Sequence, residues 1–362
     1  MTILQINENK KIMFISGRKE KYSGISSYET MLQKAMFQKY NLTFTSPRYF
    51  FNYPLILKNI KLKSLIHFTD ASLAFPLYLM NQRQRARSIV TVQDIIPLQY
   101  PLFNRASHLR LKKLDAFFYK KSILSLIYAR QIICSSNATK KALLKFIKYP
   151  EKNIKVIYLY IPKAFCDLRL NRNPFDILYV GSEMPHKNIS ILLNAIAVVK
   201  KKIPQIRLIK VGKSHWPGAR KLLLEHAKKL GISENIVWKD TVENIVQEYN
   251  TATIVIHPSL HEGFGYPVLE AMACGCPVIC SDRDSLPEVG GNAVQYFNPI
   301  DSNQLAQKMI NLIENKKEQK ILKKKGLIQS KKFNQESFCN HMIKTYEEMF
   351  NETFEQDQNN VG

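Results

Sequence analysis

The chain has 362 residues, 45% of them hydrophobic, with 53 Lys and Arg against 29 Asp and Glu and a net charge of +24. That length supports two domains with separate cores, and no run reaches the roughly 18–20 apolar residues that a membrane-crossing helix needs. Six cysteines without a framework spacing argue against a disulfide scaffold, and the close trio Cys274, Cys276 and Cys280 lacks a fourth ligand for zinc, so no metal site is expected. The polar start Met1–Lys11 does not read as a secretory signal, which makes a reducing cytoplasm the expected compartment.

In chain order, Lys10–Ser16 reads as a first strand, followed by the loop Ser23-Gly24-Ile25-Ser26-Ser27-Tyr28. Ala71–Met80 is apolar but too short to span a bilayer. Ser88–Val92 is a strand that runs into Gln93-Asp94-Ile95-Ile96-Pro97. Within Arg105–Lys121, Leu111, Leu114, Phe117 and Phe118 are interleaved with Arg and Lys, as in a basic amphipathic helix. Gln131–Asn137 and Asn153–Leu159 close the N-terminal half as strands, and residues 163–176 mix Pro with charge as a linker does.

The second half is more regular. Ile177–Val180 is a buried strand, Gly181–Asn188 a turn, and Ile191, Leu192, Ala195, Ile196 and Val199 mark a helix. Gln205–Gly212, Asn235–Trp238 and Ala252–His257 read as further strands, with a helix over Val246–Asn250. Strand and helix alternating at this spacing predict a parallel sheet covered on both faces. His261–Val278 then follows. Glu262 precedes Gly263-Phe264-Gly265, Tyr266-Pro267 opens a short helix over Val268–Cys274 that contains Glu270, and Gly275 stops it. Glycines let backbone N–H groups approach a ligand, a helix N-terminus suits a phosphate, and a carboxylate inside the helix can accept from a diol. The stretch is thus a candidate cradle for a nucleoside diphosphate carrying a sugar. Lys316–Lys325 is a second basic run, Phe333–Tyr346 a last helix, and the polar tail a disordered end.

Pro258-Ser259-Leu260-His261-Glu262-Gly263-Phe264-Gly265, Glu270-Ala271-Met272-Ala273 and Gly275-Cys276-Pro277-Val278 resemble the donor-binding segment of retaining GT-B glycosyltransferases of group 1 (family 4). Gly181-Ser182-Glu183-Met184-Pro185-His186-Lys187-Asn188 is similar to the same family's phosphate turn, and Ser23–Tyr28 to its N-domain glycine loop. The resemblance implies an α/β fold with two Rossmann-like domains whose parallel sheets face across a cleft. Its expected bounds are an acceptor-side domain over 1–165, a linker over 166–176, a donor domain over 177–332, a helix over 333–350 crossing back to the first domain, and a disordered tail over 351–362.

It also implies a metal-independent transferase with no cofactor, whose donor substrate is a nucleotide-diphosphate-sugar. Glu270 would hold the ribose diol, and Lys187 with the N–H groups near Phe264 and Gly265 would hold the diphosphate. Glu262 would face the donor sugar. Gly24, Ser182, Gly263 and Tyr266 complete the implied donor site, with Glu262, Lys187 and Asp94 as the catalytic set. Two positions depart from the family: Gln93 stands where His is usual and cannot carry a proton, and the turn has Ser182 and His186 where an Arg is frequent. The implied acceptor is a saccharide or lipid-linked saccharide. The basic helices add an expected peripheral contact with the inner membrane face. Nucleic acid is not an expected partner, since no fingerprint accompanies the charge. A sugar-nucleotide epimerase, a non-catalytic sugar-nucleotide-binding protein and a basic nucleic-acid-binding protein stay open as alternatives.

Overall fold

Short runs such as Ile177–Val180 and Ser88–Val92 are apolar on both faces, and only a sheet covered by helices on each side buries them. The computed structural model describes residues 7–16, 24–37, 39–45, 64–99, 113–215 and 217–359. The chain divides into two units: Met1–Ile95, Leu111–Leu159 and Gln335–Gly362 form the first, and Ile96–Arg110 with Tyr160–Asn334 the second.

The first unit holds six parallel strands in the order β2-β1-β3-β4-β5-β6. They are β1 (Asn7–Ile15), β2 (Tyr40–Thr45), β3 (Ser64–Phe68), β4 (Ser88–Val92), β5 (Gln131–Cys134) and β6 (Ile154–Val156). Every residue of β3 and β4 is buried. The C-terminal helix Gln335–Asn359 packs on this unit. His67 on β3 is fully buried, with Nδ1 2.7 Å from Tyr346 Oη and Nε2 2.8 Å from Thr91 Oγ1. Tyr40 donates to Glu347 at 2.7 Å, and Glu347 also pairs with Lys10.

The second unit holds β7 (Asp176–Val180), β8 (Arg207–Val211), β9 (Ile236–Lys239), β10 (Ile254–His257), β11 (Val278–Ser281) and β12 (Gln295–Phe297). Their order is β12-β11-β10-β7-β8-β9, all parallel. The chain therefore builds outward from β7 through β8 to β9, then returns to start β10 on β7's other side. Loops leaving β7 and β10 diverge at their carboxyl ends, and that switch point is where ligands bind in sheets of this kind. The core joins Ile177, Leu192, Ile196, Leu208, Ile256 and Met309, among others.

The two parallel α/β sheets bear out the expected fold class. The expected elements recur with ends shifted by a few residues. One departure is larger: the last helix runs on to Asn359, through most of the stretch expected to be a disordered tail. No Gly or Pro interrupts 335–359, so nothing in the local chemistry stops a helix already anchored by Tyr346 and Phe350. The loop expected over Ser23–Tyr28 lies partly outside the described residues; from Gly24 onward the chain is helical (α1, Gly24–Met36). Of the basic stretch 105–121, only Lys113 onward is described, as α2 (Lys113–Ser125).

Burial lowers the His67 pKa from 6.5 to about 3. The unfolded chain takes up this proton below pH 6.5 and the folded one does not, so the contribution is whole above pH 6.5 and is lost as pH falls toward 3. Urea unfolding followed at successive pH values should show His67 contributing up to about 1.4 kcal/mol per pH unit below 6.5. His67→Gln should flatten that limb by one proton's worth; an unchanged slope would assign it elsewhere.

Candidate functional site

Two loops build the site, one after β7 and one after β10. At the first, Gly181 and Gly212 pass so closely that a Cβ on Gly212, whose φ is +127°, would stand 2.4 Å from the Gly181 carbonyl oxygen. The chain then makes a single turn, Pro185–Lys187, and ends it with Asn188 in the left-handed region at φ 56°. Asn188 Nδ2 donates to the carbonyls of Pro258 at 3.1 Å and Pro299 at 2.8 Å. Leu260 N–H donates to the His186 carbonyl at 2.8 Å. The Pro258 and Leu260 bonds fasten the first loop to the second and set Lys187 against Glu262, and the Pro299 bond ties the first loop to the segment after β12.

Glu262 Oε1 accepts from three donors: Lys187 Nζ at 2.5 Å, His257 Nε2 at 2.6 Å and Ser259 Oγ at 3.1 Å. His257 and Ser259 are wholly buried, and Ser259 Oγ lies 3.2 Å from His257 Nε2. The Glu262 N–H donates to Asp284 Oδ2 at 3.1 Å, which also lies 3.0 Å from His261 Nδ1. Burial works against the charge on Glu262, but Lys187 and His257 outweigh it and hold the carboxyl well below the usual range. His186, beside Lys187, is lowered to about 4 by burial and by that ammonium. It is neutral at pH 7, so Lys187 is the cation of this turn.

The helix α7, Tyr266–Ala273, starts from Gly265 at φ 97°, with Pro267 in its first turn. That φ strains any L side chain, so the position favours glycine, and a Cβ there would also have to displace Leu286 Cδ2, 2.6 Å away. Phe264 is buried 5.8 Å from both the Tyr266 and Phe333 rings, and the Tyr266 hydroxyl donates to the Tyr160 carbonyl at 2.6 Å. The two aromatic side chains thus anchor the loop. The first helical turn closes on itself, with the Val268 and Leu269 N–H groups donating to the Gly265 carbonyl at 3.0 and 3.3 Å.

Glu270 sits further along α7 and accepts from the buried Tyr249 hydroxyl at 2.6 Å. Burial pushes its carboxyl up to about 7, partly countered by Tyr249. Ser182, in the β7 turn, has its carbonyl held by the Tyr179 hydroxyl at 3.0 Å. Next to it, Glu183 pairs with the buried Lys210 at 2.5 Å and with Arg220, which also reaches Asp240 at 2.8 Å.

Of the residues expected at the site, Lys187 and Glu262 are brought into contact, Gly263, Phe264, Gly265 and Tyr266 follow on the same loop, and Glu270 lies one turn into the helix. Gly24 and Asp94 belong to the first unit. There Asp94 directly follows Gln93, whose carbonyl accepts from Ser135 Oγ at 2.7 Å. Sequence reading did not single out His257, Ser259, Asn188, Tyr249 or Asp284. A signal existed for the first two: a polar His-Pro-Ser closes an otherwise aliphatic strand. Among the described residues no group of three or more His, Cys, Asp or Glu could hold a metal ion.

Residues 161–328 match the family described as Glycosyl transferases group 1. Over 283 residues the chain is 28% identical to the O-antigen chain mannosyltransferase B of Escherichia coli, covering 74% of this chain and 72% of that protein. It is 32% identical over 160 residues to the serotype-specific mannosyltransferase WbdA of Escherichia coli, of whose length it spans only 20%. In fold it is similar to sucrose-phosphate synthase from Thermosynechococcus elongatus, with a TM-score of 0.75 at 19% identity over 94% of this chain and 99% of that one. Anabaena HepE in complex with UDP-glucose gives 0.74 at 18% identity, over 93% and 99%. The architecture is that of the GT-B glycosyltransferases.

A raised folded pKa means that the neutral Glu270 carboxyl favours the fold below its unfolded value of 4.5, and that this contribution is lost as pH rises through 7. Glu270→Gln should therefore stabilise the ligand-free protein at pH 8 by on the order of 1 kcal/mol and leave it nearly unchanged at pH 4. Denaturant unfolding at the two pH values checks this. Tyr249→Phe should move the same transition to higher pH.

Proposed function

We propose, for a chain that belongs to the glycosyl transferases group 1 family through residues 161–328, that it passes a sugar from a nucleoside-diphosphate donor to a hydroxyl of a saccharide or lipid-linked saccharide. We further propose that the anomeric configuration is retained and that no metal ion takes part. The mannosyltransferase names of its relatives favour a mannosyl donor and an O-antigen type of polysaccharide as acceptor.

The observation that carries this reading is the Lys187–Glu262 pair at the sheet's switch point, beside a helix that starts from Gly265 in the left-handed region. On binding, Lys187 turns from Glu262 to the donor diphosphate, and backbone N–H groups near Phe264 and Gly265 approach the remaining phosphate oxygens, a role that rests on the family resemblance. Negative charge on the leaving phosphate grows as the anomeric C–O bond breaks, and a fixed cation with aligned N–H groups stabilises that growth. Glu262 stays ionised because His257 and Ser259 still hold Oε1. It then accepts from the donor sugar's hydroxyls or faces the positive charge near the anomeric carbon.

Glu270 accepts from the ribose diol, an interaction that suits a carboxyl poised near pH 7. The acceptor oxygen attacks on the face that the phosphate leaves, and a phosphate oxygen takes its proton. That route needs no protein base, which fits Gln93 where a titratable His is usual. Asp94 orients the acceptor hydroxyl, and Gly24 contributes backbone to the phosphate; both roles rest on the family resemblance.

The test is a panel of GDP-mannose, UDP-glucose and ADP-glucose, read by thermal shift and by slow donor hydrolysis with and without EDTA. The matching donor at 100 times its Kd should stabilise the protein by about 2.7 kcal/mol, and hydrolysis should survive EDTA. Glu270→Ala should abolish the shift. Binding without turnover would point to a sugar-nucleotide-binding protein instead, and no shift with any donor would overturn the proposal.

Lys187→Ala should lower kcat by about 10²–10³-fold. It also leaves only His257 and Ser259 to offset the buried Glu262 charge, a loss of up to about 3 kcal/mol, so Lys187→Arg is the companion variant that keeps the charge. Steady-state kinetics checks both; a Lys187→Ala enzyme with wild-type kcat would remove Lys187 from the chemistry.

A further inference from the structure

Helix α10, Lys316–Ser330, has one face committed to the protein. Leu322, Gly326, Gln329 and Ser330 are buried. A Cβ on Gly326 would touch Met272 of α7 at 3.4 Å, and Gln329 Nε2 donates to the Val289 carbonyl at 3.1 Å. The opposite face is bare. Lys317, Lys320, Ile321, Lys324, Lys325 and Ile328 are all exposed, and at 3.6 residues per turn they share one arc of about 140°. Lys331 and Lys332 continue it past the helix end. The helix's single carboxylate, Glu318, lies outside the arc, in the first turn capped by Asn315.

Two features separate this face from a merely solvated lysine surface. A solubilising face interleaves both signs, and this arc has cations alone. It also holds aliphatic side chains among them: Ile321 is 38% and Ile328 56% exposed, seven residues apart on one stripe. The exposed face of Ala219–Lys229 shows the contrast. It too bares two leucines, Leu222 and Leu224, but Glu225 stands beside them.

We propose that this face of α10 docks the protein on an anionic lipid surface, with the lysines at the phosphate headgroups and Ile321 and Ile328 entering the acyl boundary. A basic helix with an apolar stripe lies in such an interface, where each lysine contributes about fivefold in partitioning. A polyanion such as nucleic acid satisfies the cations through its phosphates but offers two aliphatic side chains no comparable burial. The docking stands on the helix face alone and is independent of the donor chemistry. If the acceptor is lipid-linked, it would place the back of α7, the helix carrying Glu270, toward the surface on which that acceptor resides.

The test uses the full chain with vesicles of phosphatidylcholine alone, or of phosphatidylcholine and phosphatidylglycerol at 3:1, at 0.15 M salt and read by co-sedimentation. Anionic vesicles should carry the protein down at least tenfold better than neutral ones. Lys324→Glu with Lys325→Glu should lower that partitioning more than tenfold. Ile321→Ser with Ile328→Ser should lower it about tenfold with no change in charge. Lys228→Glu with Lys229→Glu, an equal charge change on another exposed helix, should stay within about threefold. Far-ultraviolet circular dichroism confirms that each variant folds. Equal binding to both vesicles, equal losses from the two lysine pairs, or an isoleucine pair without effect would each overturn the proposal. Because the readout is pelleting, a failure of the donor assay leaves this test untouched.

Discussion

One nearly dry ion pair organises the loops at the switch point of the second sheet. Lys187 and Glu262 arrive from loops seventy-five residues apart in sequence, and each offsets part of the cost of burying the other's charge. Bringing them together requires β7 and β10 to be neighbours, which the strand order supplies, and the two loops to stand at one height, which the Asn188 and Leu260 bonds enforce. The pair is also a resting state. An ammonium satisfied by a carboxylate can be handed to a diphosphate at little cost, provided that something keeps the carboxylate company, and His257 and Ser259 do so.

The two glutamates show how far environment separates identical side chains. Glu262 is ringed by donors and stays charged; Glu270 has one phenol and apolar surroundings and hovers at the edge of protonation. One backbone stretch of nine residues thus presents a permanent anion and a titratable one.

Much of this was legible because it is local. Gly265, Pro267 and Gly275 punctuate a loop and a short helix by their own backbone preferences, and Lys187 follows an apolar strand and a glycine turn. What was not legible depends on partners distant in sequence. His257 matters because a strand end places it against Glu262, and Tyr249 because a neighbouring helix points it at Glu270. Neither shows in a period or a propensity. The last helix ran past its expected end because polar composition says little about a segment that is already nucleated and anchored by Tyr346 and Phe350. The N-terminal sheet was less legible than the second: β2 (Tyr40–Thr45) and β3 (Ser64–Phe68) were not read as strands, since they carry no turn chemistry as distinctive as the glycines around Lys187.

The membership of the C-terminal helix in the first unit has a consequence for how the chain is made. The ribosome releases residues 160–334 with every strand of the second sheet present, so that unit can close as soon as it emerges. The first sheet emerges earlier yet must wait: the phenol that meets His67 and the carboxylate that meets Lys10 and Tyr40 belong to residues 346 and 347. Until residues 346 and 347 have emerged, the older half of the polypeptide keeps His67 and an aromatic patch uncovered. The half begun first is therefore the half finished last, and a chain broken off before residue 335 would leave a complete second unit joined to an incomplete first one.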